Sequence, residues 1–207
     1  MKSANANIAV IGLRPRTGRA TAVVLSGPAD APQLVKRGEL ILTDARLPAT
    51  FQPYHEVMDL PWNESQTKVK PFVRAIEKVA AKALSDLVST LASEGFQVAG
   101  VGIAGTADRD LARLGNFHIR AHAAEGLLFR QVLEFAAKAN KLRYRTFIES
   151  NLQTVASAEL GMTLAKLNKS LTSLGRSAGP PWRREQRVAA SAAWLTLKRL
   201  GRFTWEA

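Results

Sequence analysis

The segment Gly175-Arg176-Ser177-Ala178-Gly179-Pro180-Pro181-Trp182-Arg183-Arg184 places three arginines and an indole in a stretch rich in glycine and proline. Guanidinium groups match phosphate oxygens bidentately and an aromatic ring stacks on a base, so this mixture suits a nucleic acid. The competing reading is a loop whose Trp182 packs down while its arginines stay solvated. His118 and His122 stand four apart and would share a helical face, but no further donor lies near them in sequence, so no metal site is expected. Gly100-Val101-Gly102-Ile103-Ala104-Gly105 spells G-x-G-x-x-G, with Glu125 about twenty residues on, as a dinucleotide fingerprint requires. The motif fills the body of an apolar run instead of the turn after it. Its glycines are therefore expected to admit a close-packed helix, and no cofactor is expected. Asp108 and Asp110 flank Arg109 in a polar segment that reads as an exposed turn.

Composition narrows the partners. The 207 residues carry 29 Lys and Arg against 17 Asp and Glu, a net charge of +12. From Lys138 onward there are thirteen basic and four acidic residues, so this last third holds +9 of that excess. Such asymmetry favours a polyanion partner such as DNA or RNA over the plainer reading in which the charge merely sets solubility. Cysteine is absent, which excludes disulfides and thiolate metal sites, and there are only three histidines, His55, His118 and His122. No secretory apolar region and no membrane-length apolar span are visible, so a soluble cytoplasmic chain forming one domain over residues 1–207 is expected.

The elements that must position these residues follow from periodicity and turn chemistry. Residues 7–13, 19–25 and 33–43 read as strands joined by Arg14-Pro15-Arg16-Thr17-Gly18 and Ser26-Gly27-Pro28-Ala29-Asp30, a meander of antiparallel neighbours. Residues 44–68 lack periodicity and read as a long loop, with Tyr54, His55 and Trp62 either pinning it or meeting a ligand. Val69, Phe72, Val73, Ile76, Ala80, Leu84, Leu87 and Leu91 predict a helix over 69–94 that stops at Gly95. Residues 97–104 suit a strand buried on both faces. A helix over 122–140 with Ala124, Leu128, Val132, Phe135 and Ala136 inward, a strand at 143–148, and helices over 152–174 and 183–200 complete the order βββαβαβαα. The longer of these last two is expected to align Leu160, Leu164, Leu167 and Leu171. The fold class is α/β, a five-stranded mixed sheet flanked by helices.

This order resembles that of the ribonuclease H-like superfamily, and the first turn is similar to the opening of RuvC-type Holliday-junction resolvases, I-G-I-D-P-G. Here the chain reads Ile11-Gly12-Leu13-Arg14-Pro15-Arg16-Thr17, with Arg14 where the family has an acid. The family's fourth strand ends in an acid; Val101-Gly102-Ile103-Ala104 offers Ala104. The acid of the family's last helix aligns with Arg187 in Arg187-Val188-Ala189-Ala190-Ser191-Ala192-Ala193-Trp194. Actin-like ATPases share the first hairpin and its acid, from which Arg14 departs equally.

The resemblance implies a nuclease fold whose acidic motifs are degenerate. Nucleases of this class hold two divalent ions with clustered carboxylates, and arginines at such positions repel Mg²⁺ while attracting phosphate. The expected function is non-catalytic binding of nucleic acid or a phosphate-rich partner through Arg14, Arg16, Arg19, Arg176, Trp182, Arg183, Arg184 and Arg187. One alternative is a divergent nuclease holding Mg²⁺ with Glu125, Glu149 and Glu185. Another is a structural or interaction subunit, with a homodimer among the possible partners. The resemblance also requires Arg14 and Arg187 to face one crevice, with Glu149, Glu185 or a bound phosphate or sulfate between or beside them to offset their charge.

Overall fold

The computed structural model describes residues 7–200. Five strands form one sheet in the order β3-β2-β1-β4-β5: β1 (Asn7–Arg16), β2 (Arg19–Ser26), β3 (Gln33–Ile41), β4 (Phe96–Gly105) and β5 (Tyr144–Ile148). The first three are antiparallel, as their short turns dictate, and Gly18 and Gly27 supply the positive φ those turns need. β4 and β5 run parallel to β1, each reached through a helical crossover. The mixed α/β sheet expected from the sequence is the one found.

Two cores result from the two-residue period of the strands. Ala9, Ile11 and Leu13 of β1 and Val101 and Ile103 of β4 point to one face, covered by α2 (Lys70–Ser93) and α3 (Phe117–Ala139). Val10, Val23, Leu25 and Ala104 point to the other, covered by α4 (Leu152–Glu159), α5 (Leu164–Ala178) and α6 (Arg184–Arg199). Residues 188–197 of α6 are all buried, because this helix is sandwiched between the sheet and its helical neighbours. Gly12 and Gly102 are register partners and form a trough beneath it. A Cβ on Gly12 would lie 1.9 Å from the Ala189 carbonyl oxygen, and one on Gly102 would lie 2.4 Å from Thr196 Oγ1. The glycine-rich motif thus serves helix packing.

Several boundaries differ from those the sequence predicts. Trp62–Lys68 is helical (α1), where Asn63-Glu64-Ser65-Gln66 reads as loop; the Ser65 hydroxyl donates to the Val57 carbonyl and ties the helix to the loop before it. α3 begins at Phe117, five residues early, because Asn116 caps it by accepting from the Ile119 amide at 2.9 Å. The helix predicted over 152–174 is two helices, broken by Gly161 at φ 65° and restarted by Thr163, whose hydroxyl accepts from the Lys166 amide. Leu164 therefore sits exposed in a first turn, while Leu167 and Leu171 are buried. Phe135 is exposed, because the stripe of α3 follows Ala121, Leu128, Phe129, Val132, Leu133 and Ala136. Helix α5 continues to Ala178 through the stretch read as loop: buried Gly175 leaves the space that the Trp182 indole fills. Among the described residues, no helix is long and apolar enough to cross a membrane.

Candidate functional site

The alternation that builds the core also builds a cleft. Val10, Gly12, Arg14 and Arg16 share the face of β1 that looks at α6, so the side chains beyond the glycine trough emerge at the N-terminal end of that helix. There Arg14 donates from Nε and Nη2 to the two carboxylate oxygens of Glu149, both at 2.9 Å. Arg184, from the first turn of α6, donates to Glu149 at 3.0 Å, and Arg16 reaches Glu185 at 2.5 Å. Glu149 is held at the end of β5 by its amide, which donates to the Gly105 carbonyl at 2.8 Å. These five charged residues line a cleft of about 340 Å³, closed by Gly105 and Thr106 from the end of β4 and by His122, Gly126 and Phe129 from α3.

Three guanidinium groups thus meet two carboxylates. The bidentate Arg14–Glu149 pair is largely withdrawn from water, with 13% and 19% of the side chains exposed. Arg14 Nη1 is buried without a hydrogen-bond partner, a donor left over at the cleft. The Glu185 carboxyl is held below its ordinary value of 4.5, first by its backbone amide in the opening turn of α6 and then by the charges of Arg16 and Arg14. Ala104 is fully buried in the core beside α6. Behind the end of β4, the Arg130 guanidinium donates to the Thr106 carbonyl and to Asp108, and its aliphatic stem fills the place a side chain at Gly105 would take.

The other expected residues are dispersed. Arg187 does not line the cleft. Glu185 lies one helical turn before Ala189, the residue against Gly12, whereas Arg187 is two residues from either and so faces another direction. Instead of Arg187, α6 offers the cleft Arg184 and Glu185. Arg19 pairs with Glu39 at 3.3 Å across β2 and β3, Arg176 is exposed in the last turn of α5, and Arg183 is exposed at the start of α6. Trp182 packs on Gly175 and the α6-side core, so its ring is spent on packing. The loop before α6 is clamped by Arg37, which donates to the carbonyls of Ala178, Pro180 and Pro181.

Glu125 lies outside this cleft. It is 1% exposed on α3 and meets His55, whose Nδ1 is 2.8 Å from Glu125 Oε1. The loop read as long and irregular holds His55 firmly: Tyr54 stacks on Trp62 at 5.5 Å, and the His55 amide donates to Glu125 at 3.3 Å. The early start of α3 brings His118 into the helix, one turn before His122. One nitrogen from each of His55, His118 and His122 falls within 4.8 Å of the others. Spacing within the helix signals the pair; the third ring arrives from more than sixty residues away, which no local pattern announces. Glu125, Glu149 and Glu185 do not form one donor group among the described residues.

No protein-family model and no curated protein matches this sequence. Solved structures do. The chain is similar to Thermus thermophilus RuvC in complex with a Holliday junction substrate, at 12% identity and a TM-score of 0.53, over 97% of this chain and 99% of that one. It is likewise similar to a second Thermus thermophilus RuvC structure, at 11% identity and a TM-score of 0.52, over 96% and 98%. The sheet order, the crossovers and the helix lying along the first strand make this a RuvC-like, ribonuclease H-like fold.

Proposed function

We propose that this chain is a non-catalytic, RuvC-like protein, one domain acting in the cytoplasm, that binds nucleic acid through the cleft at the ends of β1 and α6. The observation that carries the reading is Arg14. It lies near the end of β1, at the position the sequence resemblance aligns with an acid of the resolvases, and its guanidinium is paired with Glu149. A divalent ion about 4 Å from a guanidinium would meet roughly 8 kcal/mol of repulsion at an effective dielectric of about 20, twice the value for two unit charges. Glu149 would have to leave two arginines to become a ligand, Glu185 one, and Ala104 supplies none. These residues do not fit a Mg²⁺ pair. A phosphate, by contrast, meets the more exposed Arg16 and Arg184, with Arg183 and Arg176 exposed nearby in sequence.

Fluorescence anisotropy on four-way, duplex and single-stranded DNA and on RNA tests the reading. Binding should be weak in sequence preference and steep in salt, and no substrate should be cut in Mg²⁺ or Mn²⁺. Absence of binding at low salt would remove the proposal in favour of a protein-interaction role. Metal-dependent cleavage abolished by Glu149→Gln would replace it with the divergent nuclease, a reading favoured by the meeting of Glu149 and Glu185 in one cleft.

A further inference from the structure

We infer that His55, His118 and His122 form a binding site for a zinc-class divalent ion, with Glu125 positioning His55 and one coordination position left to an exchangeable ligand. The site is separate from the cleft carboxylates and does not depend on nucleic-acid binding. His118 and His122 lie one turn apart on α3, and their Nε2 atoms are 3.2 Å from each other. A tetrahedral ion with Zn–N bonds of about 2.0–2.1 Å has donor atoms about 3.3 Å apart, so this pair already stands at the spacing of two ligands. The third ring comes from the loop, with its centroid 4.4 Å from that of His122 and 5.2 Å from that of His118.

The surroundings of His55 define its role. Nδ1 is engaged by the Glu125 carboxylate, which fixes that nitrogen as the protonated one and leaves Nε2 with its lone pair. Nε2 is buried and has no hydrogen-bond partner, and neither has Glu125 Oε2. A carboxylate buried to this degree needs a compensating charge, and a basic ring nitrogen hidden from water needs an acid. A divalent cation on Nε2 satisfies both, as in carboxylate–histidine–metal relays. Imidazole-only ligation selects zinc and its neighbours over Mg²⁺ or Ca²⁺, which prefer oxygen donors.

Among the described residues no fourth His, Asp or Glu belongs to the group. Three protein ligands with a free position are the pattern of zinc sites that exchange water or substrate. His122 also lines the cleft of Arg14, Arg16 and Arg184, so an ion it holds lies beside that cleft. The competing account is a hydrogen bond between two adjacent imidazoles with no ion.

The experiment is titration of the untagged full chain with Co²⁺ and Zn²⁺ after treatment with EDTA. The chain has no cysteine and no other histidine, which leaves the three rings as its imidazole donors. One Co²⁺ per chain should bind with the intense visible bands of a four- or five-coordinate ion, and Zn²⁺ should displace it. His122→Ala and His118→Ala, at exposed positions, should lose at least about 100-fold in affinity without altering the metal-free melting curve. Glu125→Gln should lose about 10- to 100-fold, the usual cost of removing a partner that orients a ligand. Inorganic phosphate should shift the Co²⁺ bands; unchanged bands would overturn the exchangeable position. Failure to bind Co²⁺ saturably at micromolar concentration, or binding unaffected by both His118→Ala and His122→Ala, would overturn the site itself.

Discussion

Glu149→Gln separates phosphate recognition from metal catalysis, because the two accounts demand opposite responses. The wild-type carboxylate accepts two hydrogen bonds from Arg14 and one from Arg184. The amide keeps the shape but offers one acceptor oxygen and one N–H₂, so one Arg14 donor faces another donor. Removing one member of a fully buried pair costs about 3–5 kcal/mol. Here both side chains retain some exposure, 13% and 19%, which lowers the expected loss to about 2 kcal/mol. The Arg184 arm, 73% exposed, adds little. Urea denaturation should show this loss, and the melting temperature should fall by roughly 4–8 °C for a chain of this size. DNA binding should respond the other way. A released Arg14 gains up to one phosphate contact, which steepens the log–log salt slope by about 0.9 between about 50 and 200 mM salt. Tighter, steeper binding by a less stable protein is the expected signature. Weaker binding with a shallower slope, or unchanged stability, would refute the reasoning.

Three further outcomes follow from the same geometry. Arg183→Ala combined with Arg184→Ala should lower the salt slope by up to about 1.8 in the same anisotropy titration, with folding intact, since both side chains are exposed. Gly12→Ala drives a Cβ to 1.9 Å from the Ala189 carbonyl, so α6 must lift; a loss of about 3 kcal/mol or insoluble protein is expected in chemical denaturation. Glu185 has a folded-state pKa below its ordinary 4.5, so its contribution is present above that value and is lost as pH falls through the lowered one. Glu185→Gln should therefore flatten the acid limb of the stability–pH curve and leave its alkaline side unchanged.

What the sequence showed and what it hid divide along a physical line. The meander was legible because Gly18 and Gly27 sit at turns that need positive φ, and β4 because its run of apolar residues is buried on both faces. The glycines of β4 were legible as packing residues because a phosphate-binding turn cannot lie in the middle of a strand. That Arg187 lies off the cleft lined by Arg184 and Glu185 could not be read, because an alanine-rich helix offers no landmark for phase and two residues along it turn a side chain to another face. Trp182 was ambiguous because its acceptor is a void, the missing side chain of Gly175. His55 was invisible as a partner of His118 and His122, since its approach depends on how a loop packs over α3, and loops carry no periodic signal. Arg14 was read as displacing a metal ligand whose charge needs a carboxylate or an anion beside it; Glu149, 135 residues away, is the partner it meets, and the choice between Glu149 and Glu185 depends on packing that no local pattern carries.

The trough of Gly12 and Gly102 has a consequence for how the chain is made. Its partner, α6, is the last helix to leave the ribosome among the described elements, yet it lies against the first strand. Until residues 184–199 emerge, Val10, Val23, Leu25 and Ala104 form an uncovered apolar surface on a sheet that is otherwise paired. β1 must also wait for β4, some eighty residues downstream, before its second edge is satisfied. Contacts of such long sequence separation slow folding and lengthen the interval in which strand edges stay open to other chains. During synthesis the nascent chain therefore depends on α6 for protection, and translation that stalls before residue 184 should release an aggregation-prone sheet.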